Sequence, residues 1–359
     1  MKSTTGEHYV ALDHLRALAA FLVFTWHFTH STNGFPVPFE FVPAIPPFAL
    51  LDEGQTGVAL FMTLSGYLFA KLLDGKRIIY SAFIWNRALR LLPLLAFVIL
   101  VDAYRKIHAG ESFLGYAYWT IRGVLLPALP NGGWSITVEF HFYLVLPLLL
   151  WMLRKSALLP LGVIAAAIAL RWYLHSINGE VQGLGYWTII GRIDQFVLGI
   201  VAFHARARIC ARPRIVATLM LAFVGLYWYF DSLGGFYKYG TYPSPSRLWI
   251  VLPTLEAVAY SALIAWYDTT FRSTSSVVSR AIGRIGEYSY SIYLLHFFFV
   301  FAAAKYIHKN IMDLSNFYVA CVWAFVMFLL MVPIAYLSFR FIEAPFLRYR
   351  RRYAVSTKT

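Results

Sequence analysis

The sequence predicts an all-α, polytopic integral membrane protein with about ten transmembrane helices and both termini in the cytoplasm. Three observations predict it. The 359 residues are 60% hydrophobic and 13% charged, with mean hydropathy +0.62, whereas a soluble domain carries roughly 25% charged residues. Apolar runs near the 20 residues needed to cross about 30 Å of hydrocarbon recur along the chain. They are too long for barrel strands, and a backbone without water must satisfy its own hydrogen bonds, so they are helices. Finally, Lys and Arg are concentrated on alternate loops, with fewer on the loops opposite, as the positive-inside rule describes.

The ten spans are placed near 14–31, 57–73, 82–103, 134–153, 157–174, 187–204, 215–230, 249–268, 287–304 and 317–340. An even number leaves both ends on one side. Lys2, Lys71, Lys76, Arg77, Arg154, Lys155, Arg206, Arg208, Arg212, Arg214, Arg272, Arg280, Arg284 and the tail Arg348, Arg350, Arg351 and Arg352 share that side. The first loop opposite, 32–56, holds Glu40, Asp52 and Glu53 with no Lys or Arg. The net charge of +14 thus reads as topology determinants and partners for anionic lipid headgroups, not as a nucleic-acid surface. Cys210 and Cys321 fall at opposite ends of their spans, so no disulfide framework is expected. The chain reads as one membrane domain over 1–359, with a short basic tail at 341–359 and a first span that is retained, not cleaved.

Ionisable groups at membrane depth are functional candidates by default. The first span, LDHLRALAAFLVFTWHF, carries Arg16 and His27. Eleven positions are about three helical turns, which puts both on one face about 16 Å apart. Arg16 then sits at the cytoplasmic mouth, suited to a nucleotide phosphate, and His27 near mid-membrane, where imidazole can take a hydroxyl proton. The alternative is a snorkelling Arg and a His that satisfies a helix contact. The second span contributes Ser65 beside Gly66 in LFMTLSGYLF. At the start of the third, WNRALRLLPLL sets Arg87 and Arg90 one turn apart, a paired guanidinium site for phosphate or a positive-inside anchor.

The fourth span enters through NGGWSITVEFHFYLVLP. Glu139 lies about five residues in, at the depth expected for His27, and can orient that imidazole or act as a base itself. The sixth carries Arg192 and Asp194 in GRIDQFVLG, expected to neutralise one another. The ninth contains YSYSIYLLHF, with Tyr290 and with His296 expected to line the same cavity. Glu343, at the end of the tenth, is expected to be structural, paired with a loop Arg. The outer loops 32–56 and 231–248 interleave aromatic residues with Pro and Gly. They offer stacking faces to a sugar or form an interfacial aromatic belt. No metal-ligand cluster stands out.

Arg16 with ten residues before His27, then GVALFMTLSGYLF, NRALRLLP, WSITVEFHFYLVLP, GRIDQFVLG, YSYSIYLLH and FIEAPFLR follow one another across residues 12–348. In this order they resemble the membrane acyltransferase-3 family of O-antigen, Nod-factor and macrolide acyltransferases. His14 departs from that family's usual Gly. The resemblance implies a ten-helix domain in the bacterial inner membrane, acyl-CoA as cytoplasmic donor with acetyl the commonest group, and a carbohydrate acceptor, lipid-linked in some members, at the outer face. It implies His27 as the central catalytic residue with Glu139 at an acidic motif position. Arg16, Arg87 and Arg90 then serve acyl-CoA binding. Some relatives carry a fused SGNH-type domain. None is read in this sequence, which leaves delivery to the membrane domain or a separate periplasmic partner. A secondary transporter or exporter of a glycan is the competing class and predicts broken helices and repeat symmetry.

Overall fold

The computed structural model describes residues 9–31, 33–156, 158–272 and 276–356. Lys2 lies outside the described residues. The helices, in chain order, are α1 Val10–Thr29, α2 Ala49–Asp52, α3 Thr56–Leu73, α4 Tyr80–His108, α5 Phe113–Leu125, α6 Trp134–Lys155, α7 Leu158–Asn178 and α8 Gln182–Trp187. They continue with α9 Ile189–Cys210, α10 Pro213–Ser232, α11 Leu252–Thr270, α12 Val277–Glu287, α13 Ser289–Leu295, α14 Val300–Asn310, α15 Phe317–Ser338 and α16 Ala344–Leu347. Two three-residue strands, β1 Lys76–Ile78 and β2 Ala354–Ser356, pair antiparallel.

Each expected span coincides with a helix, or for the ninth with the bent pair α13 and α14, but not all are long and apolar enough to cross a membrane. Among the described residues, six helices are long and apolar enough to cross a membrane: α3, α4, α6, α7, α10 and the α15–α16 unit. A seventh joins them if α13 and α14, bent by 57° at a short break, count as one span. The helices α1, α9 and α11 fall short of the expected ten because polar residues dilute them: Asp13, Arg16 and His27 on α1, Arg192 and Asp194 on α9, Glu256 and Asp268 on α11. Burial explains the difference. Only 22% of the α7 window is buried, against 78% for α3, so the first must present apolar side chains outward and the second is shielded by its neighbours.

The centre is built on close helix approach. Gly66 of α3 lies against the Phe196 backbone of α9, and Gly199 of α9 lies against the Thr63 backbone of α3. A Cβ at either position would collide with a carbonyl oxygen, so small residues permit this contact, as they do between membrane helices generally. Polar side chains cross the same interior. Arg171 of α7 donates to Asp194 at 2.6 Å, and Arg192 pairs with Glu256 of α11 at 3.7 Å. The expected Arg192–Asp194 pair is therefore replaced by two separate pairs. Residues two apart on a helix point about 200° from one another, so each reaches a different neighbour.

Links between loops sort to two ends. At one end Trp228 donates to the Pro43 carbonyl at 2.9 Å, Gln182 to the Phe236 carbonyl at 2.9 Å, and the Phe236 amide to Glu53 at 3.0 Å. Here His30 bridges the Val37 carbonyl and Asp52, both at 3.0 Å. Burial pushes Glu53 up to about 7. At the other end Lys71 pairs with Asp268 at 2.7 Å. There the described chain ends also meet, since Tyr9 and Tyr353 line one cavity.

Candidate active site

Two cavities lie between these helices, one towards each end. The first, about 190 Å³, is lined by Arg16 from α1, Ser65 from α3, Arg87 and Arg90 from α4, Glu139 and Tyr143 from α6 and Tyr290 from α13. Its guanidiniums differ in their commitments. Arg16 holds Asp13 at 2.7 Å. Arg90 holds Glu343, which also accepts from Ser291, and its guanidinium lies 5.1 Å from the centre of the Tyr290 ring. Glu343 is thus a structural partner as expected, but to Arg90 of α4, not to a loop residue. Arg87 stacks over Phe69 and Phe83 at 5.2 and 5.8 Å, and its Nε is buried without a hydrogen-bond partner among the described residues.

Glu139 belongs to this first cavity. Its carboxylate accepts from Ser65 at 3.2 Å and from Tyr143, one turn further along α6. The expectation that it orients His27 is not met, since no hydrogen bond or ion pair joins the two among the described residues. Position along the membrane normal can be judged from a sequence. The direction in which a helix faces is settled by packing.

His27 lines the second cavity, about 320 Å³, together with Trp26, Trp134, Tyr186, Trp187, Tyr237 and Phe297. Its Nδ1 lies 2.8 Å from the Val23 carbonyl and 3.2 Å from Nε2 of His296, whose own Nδ1 lies 3.1 Å from the Ile292 carbonyl. A carbonyl only accepts, so both rings carry their proton on Nδ1. Nε2 of His27 is left as the lone-pair nitrogen, with no protein partner among the described residues. This is the form in which imidazole can take a proton from a substrate hydroxyl.

His296 was expected to line a cavity. It is instead buried behind His27, at the point where α13 gives way to a 3₁₀ turn, His296–Phe298. Arg192 and Asp194 also lie outside both cavities. Arg192 instead sits 4.3 Å from the Tyr186 ring centre, so a buried cation backs one wall of the second cavity. Of the loop aromatics, Tyr237 lines this cavity, whereas Phe39 stacks on Tyr237 and Phe41 packs on Phe317.

The two cavities share walls at Val58 and Tyr293. Tyr293 is fixed by donating to the Gly132 carbonyl at 3.1 Å. A chamber lined by guanidiniums therefore abuts an aromatic chamber lined by an imidazole.

Residues 9–340 match the family model described as an acyltransferase domain. The chain belongs to the acyltransferase-3 family. Among curated proteins, it is similar to a protein of Staphylococcus aureus strain COL named provisionally as an O-acetyltransferase, 25% identical across 82% of this chain and 53% of the relative. The chain thus spans about half the length of that relative. It also resembles the acyltransferase MdmB of Streptomyces mycarofaciens, 23% identical over 68% of this chain and 67% of the relative. A protein of Acidianus two-tailed virus, named provisionally as an acetyltransferase, is 24% identical over 70% and 75%. No solved structure matches significantly.

Tyr143, Tyr293 and Arg171 are site or scaffold residues that the sequence reading passed over. Tyr143 follows Glu139 at the i+4 spacing that places side chains on one helix face, a signal that was available. Tyr293 and Arg171 carried none, because their partners are distant in sequence.

Proposed function

We propose that this protein is a membrane O-acyltransferase. It takes an acyl group, most simply acetyl, from acyl-CoA in the guanidinium-lined cavity and passes it to a carbohydrate hydroxyl in the aromatic one. The observation that carries the reading is the pair of abutting cavities, Arg87 and Arg90 lining one and the Nδ1-protonated His27 the other. The names of the relatives support acetyl transfer. In this reading α1, α9 and α11 also cross the bilayer, since their polar groups pair inside the bundle, and ten crossings leave both termini in the cytoplasm. The Lys and Arg excess at the Arg87 end makes that end cytoplasmic, in the inner membrane of a bacterium, and the His27 end periplasmic.

Nε2 of His27 accepts the proton of the acceptor hydroxyl as its oxygen attacks the thioester carbonyl. The C–S bond breaks, the ester C–O bond forms, and the CoA thiolate leaves and takes up the proton. The aromatic walls of the second cavity suit a sugar face. Glycan assembly proteins of the periplasm are the class of partner that would present a lipid-linked acceptor.

The test is acyl transfer by purified protein with labelled acetyl-CoA. His27→Ala is expected to lower the rate by about 10²–10⁴, the usual contribution of a general base. Full transfer by folded His27→Ala protein overturns the mechanism. One observation favours a glycan exporter instead: the broken α13–α14 span, a feature of many transporters. An exporter moves its substrate unmodified, so mass spectra of surface glycan from cells with and without the gene separate the two.

A further inference from the structure

Past α16 the chain does not leave the protein. Trp85 Nε1 donates to the Tyr349 carbonyl at 3.2 Å. The Asn86 side chain then pairs with Arg351 in both directions, donating to its carbonyl at 2.6 Å and accepting from its amide at 2.8 Å. The Ile79 amide donates to the Tyr353 carbonyl at 2.8 Å, and β2 pairs with β1. Residues 349–356 are therefore laid along the start of α4, held by backbone bonds that do not depend on their side chains.

This fixes which side chains face inward. Arg348, Arg351 and Arg352 are exposed, whereas Arg350 and Tyr353 line the first cavity. In the sequence all four arginines read alike, as a basic cytoplasmic tail. Burial, then the charges of Arg87 and Arg90, pull the Arg350 guanidinium down to about 10, so it remains a cation at neutral pH. Its backbone is held at the level of Asn86, a turn nearer the start of α4 than Arg90.

We propose that Arg350 is a donor-binding residue that grips the ribose 3′-phosphate of acyl-CoA at the rim of this cavity. The inference rests on the acyl-CoA reading above. The thioester must approach His27, so the ligand enters with its adenosine end last, and the rim arginine meets the phosphate most distant from the reacting carbon. Arg90, a turn further in, and Arg87 are left for the diphosphate. A planar guanidinium with paired donors suits a phosphate dianion.

The experiment measures binding of acetyl-CoA and 3′-dephospho-acetyl-CoA to the full chain in nanodiscs. Wild type, Arg350→Ala, Arg350→Lys and the exposed control Arg348→Ala are compared. Loss of a charge-assisted hydrogen-bond pair is worth on the order of 10- to 100-fold. Arg350→Ala is expected to weaken acetyl-CoA binding by that factor, with less than a two-fold effect on the dephospho analogue. Arg350→Lys keeps the charge without the paired donors and recovers part of the loss, and Arg348→Ala matches wild type. Equal weakening of both ligands, or of neither, by Arg350→Ala overturns the assignment. Wild-type protein that binds neither ligand overturns the acyl-CoA reading itself, an outcome distinct from failure at Arg350.

Discussion

Asp194→Ala should destabilise the protein through Arg171, although the two residues lie on different helices and Arg192 is nearer in sequence. Both side chains of the Arg171–Asp194 pair are 0% exposed, at 2.6 Å. Removing the carboxylate strands a guanidinium in the interior, and breaking a buried pair in this way costs about 3–5 kcal/mol. Arg171 also donates to the Ile250 carbonyl at 2.8 Å, the Gly191 carbonyl at 3.0 Å and Thr254 at 3.0 Å. Those neutral acceptors keep part of its hydrogen bonding, so the lower end, about 3 kcal/mol, is expected. Asp194→Asn retains an acceptor and should lose about 1.5–3 kcal/mol. Asp194→Leu combined with Arg171→Met strands no charge and should recover most of the loss. The assay is equilibrium unfolding in one fixed detergent, arranged as double-mutant cycles of Asp194 with Arg171 and with Arg192. A larger coupling to Arg192, or an Asp194→Ala protein as stable as wild type, would refute the assignment of partners.

Two further outcomes follow from the geometry. Glu53, with a pKa raised by burial from 4.5 to about 7, favours folding when protonated. That stabilisation is full below pH 4.5 and is lost as the pH rises through about 7. It is worth about 3 kcal/mol between the extremes. Glu53→Gln should therefore flatten the fall in melting temperature between pH 5 and 8, and an unchanged pH slope counts against it. Glu139→Gln should raise the KM for acetyl-CoA while leaving the pH dependence of kcat, set by His27, unaltered; a shifted kcat profile would return Glu139 to the imidazole.

The all-helical membrane class followed from the sequence because transfer energetics act residue by residue. Some 20 apolar residues in a row have few stable arrangements other than a helix in lipid. The candidate polar residues were legible for the same reason: an ionisable side chain at that depth stands out against the apolar composition. Arg16, Ser65, Arg87, Arg90, Glu139 and Tyr290 do line one cavity, and His27 lines the other.

Partnerships were another matter. The sequence placed Glu139 with His27 and Arg192 with Asp194, and it treated Arg350 as one of four equivalent tail cations. Only the tertiary structure joined His296 to His27, Arg171 to Asp194, and Arg350 to the guanidinium cavity. Local pattern determines how deep a side chain sits and which face of its own helix it occupies. Which residue it meets depends on how that helix is rotated and crossed against the others. The Gly66–Gly199 approach and the Asn86–Arg351 pairing set those relations, and each joins segments more than a hundred residues apart.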